Sequence, residues 1–245
     1  MEHVLFENSR GREVHGTFDS ADSDACIVMA HGLTDDRNVG GYFSDAAEAL
    51  NKAGYNVLRF DFTGRGDTGG NLTLDKGIDD LKSAIGFVEE KGMTRIGLYG
   101  YSMGGLISLK CVNDSVEALF LSSPVTASFK LPLHPISTGL TKIFGKVPDV
   151  NFGRKRKIEW VNRELTEDLI AVEQEKLLSD IELPVKIVHG TRDLIVNVEK
   201  TRKASEKLDN CVLDIIEGMG HTYRKDYSHR VIDEAEAFFR ETIPL

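Results

Sequence analysis

The stretch Arg95-Ile-Gly-Leu-Tyr-Gly-Tyr-Ser-Met-Gly-Gly105 decides how the rest of this 245-residue chain is read. An apolar, strand-like run enters Gly-x-Ser-x-Gly, and a helix pattern leaves it. A strand that turns sharply into a helix needs small residues on both sides of the turn, where a Cβ would collide with neighbouring backbone. Gly100 and Gly104 meet that need. The turn is expected to push the Ser102 hydroxyl out at the carboxyl end of the strand, with a helix from Met103 to about Val112 starting beneath it. The first N–H groups of that helix then face any negative charge that develops there. Ser102 is therefore the first candidate nucleophile.

Upstream, strand-like runs at 4–6 and 12–18 flank the turn signal Asn8-Ser9-Arg10-Gly11, which predicts an antiparallel hairpin. Ala25-Cys26-Ile27-Val28-Met29-Ala30 is continuously apolar, as suits a strand covered on both faces, and it ends in His31-Gly32-Leu33. A helix pattern (Phe43, Ala46, Ala47, Leu50) follows, then a strand over 55–62, a glycine-rich loop, and a helix with Ile78, Leu81, Ile85 and Val88 on one face. This β-α-β-α-β alternation implies an α/β protein with a mostly parallel central sheet flanked by helices, whose ligands collect at the carboxyl ends of the strands. After a strand over 118–121 the alternation breaks. The segment 125–182 carries prolines, a basic run, and helical stretches, one of them opened by Thr166 with Glu167 and Asp168 in its first turn. Regular order returns with a strand over 185–189, a helix over 198–208, a strand over 212–216 and a closing helix containing Ile232, Ala235, Phe238 and Phe239. The expected organisation is a core of 1–124 and 183–245, with 125–182 inserted as a cap, or lid, above Ser102.

A serine hydroxyl needs a base within hydrogen-bond reach, usually a histidine oriented by a carboxylate. Asp193 follows the 185–189 strand through Gly190-Thr191-Arg192, and His221 follows the 212–216 strand through Glu217-Gly218-Met219-Gly220. Both are placed on the sheet edge that presents Ser102. The rival base His229 falls inside the closing helix, and the rival acid position at Ser122-Ser123-Pro124 has no carboxylate. His31 and His189 also end strands before a glycine and are read as ordering their loops; Asp61 and Asp67 are read as loop braces. Gly64-Arg65-Gly66-Asp67-Thr68-Gly69 matches the dinucleotide fingerprint, but the next helix starts only near Leu74 and the next strand ends in Gly100-Tyr101-Ser102 rather than an acid. Both facts count against a nucleotide role.

The order Ser, Asp, His, together with Gly100-Tyr101-Ser102-Met103-Gly104 and His31-Gly32, resembles the α/β-hydrolase fold superfamily over nearly the whole chain. Within it, the chain is most similar to small serine esterases and lipases of the monoacylglycerol-lipase and feruloyl (cinnamoyl) esterase type. The resemblance implies a Ser102–Asp193–His221 triad, an oxyanion hole made by the backbone N–H groups of Leu33 and Met103, an acyl-enzyme, a small-molecule carboxylic ester as substrate, and no metal or organic cofactor. An acyltransferase or thioesterase using the same triad, and a ligand-binding module on the same fold, stand as alternatives. Three departures from the family pattern are Leu33 in place of a frequent Phe, Asn197 where a proline often follows the acid loop, and Thr68 where Ser more often ends the glycine-rich loop.

Composition sets the outer bounds. With 41% hydrophobic and 28% charged residues, the chain reads as globular rather than disordered or membrane-embedded, and no apolar run reaches spanning length. The start Met-Glu-His-Val-Leu-Phe-Glu-Asn lacks a basic segment followed by an apolar one, so the expected location is cytoplasmic. A net charge of −9, from 30 basic and 39 acidic residues, argues against a nucleic-acid partner. The basic run Arg154-Lys155-Arg156-Lys157 is read as a solvated face opposite nearby acids. Cys26, Cys111 and Cys211 are widely spaced and are expected to be buried free thiols. Oligomeric state is left open, a homodimer included.

Overall fold

Every apolar run just described becomes a strand of one sheet in the computed structural model, which describes residues 1–130, 146–148, 160–223 and 225–245. β1 (Glu2–Glu7) and β2 (Glu13–Asp19) form the expected antiparallel hairpin. They are followed in the chain by β3 (Ala25–Ala30), β4 (Asn56–Phe60), β5 (Arg95–Tyr101) and β6 (Val116–Ser122). β7 (Lys146–Pro148) and β8 (Trp160–Asn162) form a separate two-stranded antiparallel pair between β6 and β9 in the chain; β9 (Val185–Gly190) and β10 (Cys211–Ile216) then complete the main sheet. Its order is β1-β2-β4-β3-β5-β6-β9-β10, with β2 antiparallel to β4 and every later neighbour parallel.

The helices cover both faces. α1 (Tyr42–Lys52) and α7 (Lys225–Thr242) lie on one face, over a core of Ile27, Met29, Phe43, Tyr99, Phe120 and Phe239. α2 (Leu74–Glu90), α3 (Met103–Lys110), α4 (Arg163–Ile170), α5 (Gln174–Leu178) and α6 (Val198–Ser205) lie on the other, over Val28, Leu58, Phe60, Leu81, Leu106 and Leu119. Each such side chain, taken fully out of water, contributes about 1.5–3 kcal/mol, so burial on two faces makes the central strands the rigid part of the molecule. Parallel pairing puts the carboxyl ends of β3, β4, β5, β6, β9 and β10 on one edge, where their loops meet.

Some expectations shift. α4 begins at Arg163, three residues before Thr166, because Leu165 and Leu169 bury the same helix face and Arg163 pairs with Glu167 at 2.7 Å. Cys26 and Cys111 are buried as expected and burial pushes both thiols up, whereas Cys211 is only half-buried. The Arg154–Lys157 run lies outside the described residues. Among the described residues, no helix is long and apolar enough to cross a membrane.

Candidate active site

β5 runs into Ser102, and the backbone there is bent hard, with φ 56° and ψ −116°. A non-glycine residue in that region stores roughly 1–3 kcal/mol of strain and persists only where its surroundings hold it. Ser102 N donates to Ser122 O at 3.0 Å, and Ser102 O accepts from Gly105 N at 3.1 Å and Val125 N at 3.0 Å. The flanking glycines are a matter of space. A Cβ on Gly100 would stand 2.6 Å from Gly105 Cα, and one on Gly104 would stand 2.0 Å from Ala30 O.

Two other strands deliver the partners. His221 Nε2 lies 2.9 Å from Ser102 Oγ, and His221 Nδ1 lies 2.7 Å from Asp193 Oδ2. An ionised carboxylate only accepts, so Nδ1 carries the hydrogen, and Nε2 accepts from the Ser102 hydroxyl. Asp193 Oδ1 accepts from Ile195 N and Val196 N, both at 2.9 Å. Burial alone would raise the Asp193 carboxyl, but the N–H groups of His189 and His221, the His221 charge and the Val196 amide together hold it far below the usual carboxylate range. The two loops are tied to each other by Thr191 N donating to Ile216 O (3.1 Å), Arg192 N to Met219 O (2.9 Å) and Gly218 N to Thr191 Oγ1 (2.9 Å).

Sequence reasoning passed over Tyr101. Its ring stacks on the His221 imidazole at 5.4 Å and 28°, and its hydroxyl donates to His221 O at 2.9 Å. Tyr223 packs edge-on against Tyr101 and Tyr42, and donates to Ser123 Oγ at 3.1 Å. Burial pushes the Tyr42, Tyr99 and Tyr101 phenols up, so they remain neutral hydrogen-bonding groups. The available signal was the aromatic residue beside Ser102 and another two positions after His221.

Leu33 and Met103 reach the same edge. Met103 opens α3, so its N–H has no partner within the helix. Leu33 follows β3, whose last residue, Ala30, is in register with Gly100 of β5. His31 controls the Leu33 peptide: Phe62 N donates to its Nε2 at 3.1 Å, so Nδ1 carries the hydrogen and donates to Gly32 O at 2.7 Å. Gly32 C=O and Leu33 N–H are opposite ends of one planar unit, and fixing the first aims the second. Burial, only partly offset by the Asp61 charge, pushes His31 down to about 4. Arg65 Nε donates to Leu33 O on the other side. Asp61 is a brace, accepting from Arg37 N (2.6 Å), Arg37 Nη1 and Asp67 N (2.9 Å). Asp67 pairs with Arg37 at 2.8 Å. Among the described residues, no cluster of His, Cys, Asp or Glu is arranged to hold a metal ion.

With this geometry in place, the comparisons are informative. The family model for serine aminopeptidase, S33, matches residues 21–177, more than half of the chain. Protein ABHD12B of Homo sapiens is 24% identical over 76% of this chain and 50% of its own length; the chain spans half or less of the length of the curated relatives it matches. Among solved structures, Est1E of Butyrivibrio proteoclasticus with ferulic acid bound superposes with a TM-score of 0.80 at 21% identity, covering 99% of this chain and 100% of that one. A monoacylglycerol lipase of Paleococcus ferrophilus gives a TM-score of 0.72 at 20% identity, covering 91% and 98%. At these identities the two structures establish the α/β-hydrolase fold.

Proposed function

Because this chain belongs to the serine aminopeptidase S33 family of hydrolases, we propose that it cleaves carboxylic esters through Ser102, His221 and Asp193. The observation that carries the proposal is the unbroken hydrogen-bond chain from Ser102 Oγ through His221 to Asp193, at 2.9 and 2.7 Å, on a serine held at φ 56°. Ser102 attacks the acyl carbon while its proton passes to His221 Nε2. Asp193 keeps the imidazole in the tautomer that can accept it and stabilises the imidazolium. The N–H groups of Leu33 and Met103 bind the oxyanion, one such donor being worth roughly 3 kcal/mol of transition-state stabilisation. His221 then protonates the leaving alcohol, and the same base delivers water to the acyl-enzyme. The segment 125–182 serves as the cap that shapes the acyl and alcohol pockets. A hydroxycinnamate is a reasonable acyl group to try, since ferulic acid occupies the similarly folded Est1E.

The test is hydrolysis of p-nitrophenyl esters from acetate to palmitate plus methyl ferulate, with Ser102→Ala as control. Activity that survives in folded Ser102→Ala would refute the proposed nucleophile. The family's description favours one second reading, hydrolysis of an amino-terminal peptide bond. Aminoacyl p-nitroanilides in the same panel separate the two: turnover of anilides alone would replace the ester reading.

A further inference from the structure

We propose that His189 is a positioning residue for the proton relay, holding Asp193 and its loop so that one carboxylate oxygen faces His221; this rests on the reading of Ser102, His221 and Asp193 as the catalytic groups. His189 lies near the end of β9, and its side chain has no solvent exposure. A buried imidazole must find a partner for each nitrogen within the protein. Nε2 lies 3.2 Å from Val196 O and 3.1 Å from Asp193 Oδ2. Both are acceptors, so Nε2 carries the hydrogen, donated to Val196 O with its positive end also toward the carboxylate. Nδ1 is then the lone-pair nitrogen and accepts from the Thr201 hydroxyl at 2.9 Å. Thr201 is fully buried on α6, so a helix outside the Asp193 loop sets the tautomer.

The contacts close a ring around the carboxylate. His189 holds the carbonyl of Val196, whose own N–H holds Asp193 Oδ1. Oδ2 is left between two imidazole N–H groups, those of His189 and His221. A carboxylate with both oxygens engaged cannot rotate about its terminal bond without losing donors on each side. Among the described residues, the titratable groups facing His189 are Asp193 and, through it, His221; α6 contributes the neutral Thr201 hydroxyl. Without the His189 N–H, Oδ2 would lean on His221 alone and stabilise its imidazolium more, so the free base would appear at higher pH. Substrate touches none of this, so the effect belongs to kcat and not to KM.

The experiment measures kcat, KM and the pH profile of kcat/KM on a p-nitrophenyl ester for wild type, His189→Phe, His189→Gln, Thr201→Val and Asp193→Asn. His189→Phe is expected to lower kcat roughly tenfold to a hundredfold, taking over to this relay the range known for outer partners of metal ligands. Its KM should hold and its acid limb should move to higher pH. His189→Gln, which returns an N–H at the reach of Nε2, should restore most of kcat and the wild-type limb. Thr201→Val leaves the ring but removes the partner of Nδ1, and should move the limb in the same direction by less. That variant carries the test if His189→Phe does not fold. A wild-type acid limb in His189→Phe or Thr201→Val, or equal losses in the Phe and Gln variants with the limb unmoved, would reduce His189 to packing. Wild-type kcat in Asp193→Asn would overturn the triad reading and this inference with it.

Discussion

Tyr101 touches His221 in two separable ways, by stacking on the ring and by donating to the backbone carbonyl. Tyr101→Phe keeps the first and removes the second, a hydrogen bond worth about 1 kcal/mol net. The expected result is a fall in kcat of about fivefold with unchanged KM in steady-state ester hydrolysis. A wild-type kcat would show that the stack alone places the base. The prediction concerns a residue that the sequence marks only weakly, and the reason is physical. Ser102, Asp193 and His221 can be read from the chain because each is a reactive type standing just past a strand end, and parallel strands bring such ends to one edge. Tyr101 occupies an unconstrained position of Gly-x-Ser-x-Gly, and its use depends on which loop folds over it. His189 is similar: a histidine before a glycine announces an ordered loop, but not that its imidazole lies 3.1 Å from Asp193.

Elements differ in how tightly they constrain their residues, and two glycines show the range. In Gly104→Ala the new methyl would meet Ala30 O at 2.0 Å, backbone against backbone, where no side chain can move aside. Overpacking of this kind costs about 1–3 kcal/mol and sometimes more; urea unfolding is expected to place this variant at or beyond the upper end. Gly86 lies inside α2 with nothing within 4 Å of its added Cβ, so Gly86→Ala is expected to stabilise by about 0.5–1 kcal/mol. A destabilised Gly86→Ala would mean that this stretch of α2 needs glycine for its backbone. The strands and long helices of the core are legible in the sequence because burial on a known face imposes a period on them. β7 and β8, at three residues each, are too short to show one. In α4, the buried pair Leu165 and Leu169 outweighs the capping pattern at Thr166.

For the molecule as a whole, buried His31 ties the fold to pH. Folded His31 titrates at about 4 against an ordinary 6.5, so below pH 6.5 the unfolded chain takes up a proton that the native state refuses. The His31 contribution to native stability should therefore fall as pH drops from about 6.5 to 4, by up to about 1.4 kcal/mol per pH unit, and level off below. Asp193, whose folded value is depressed, contributes stability above its ordinary 3.8 and loses it only at lower pH, outside that window. Urea unfolding at several pH values should show a shallower slope between pH 6.5 and 4 in His31→Asn than in wild type. Equal slopes would place the titration on another group. The span of the Ser102–His221 contact, 119 residues, also bears on events during synthesis. At roughly 5–20 residues per second, a ribosome that has emitted the serine needs on the order of 6–24 s to emit its base. On the proposed mechanism, the growing polypeptide over that interval carries the serine without its base, so reactivity toward esters is withheld until the loop after β10 has been made.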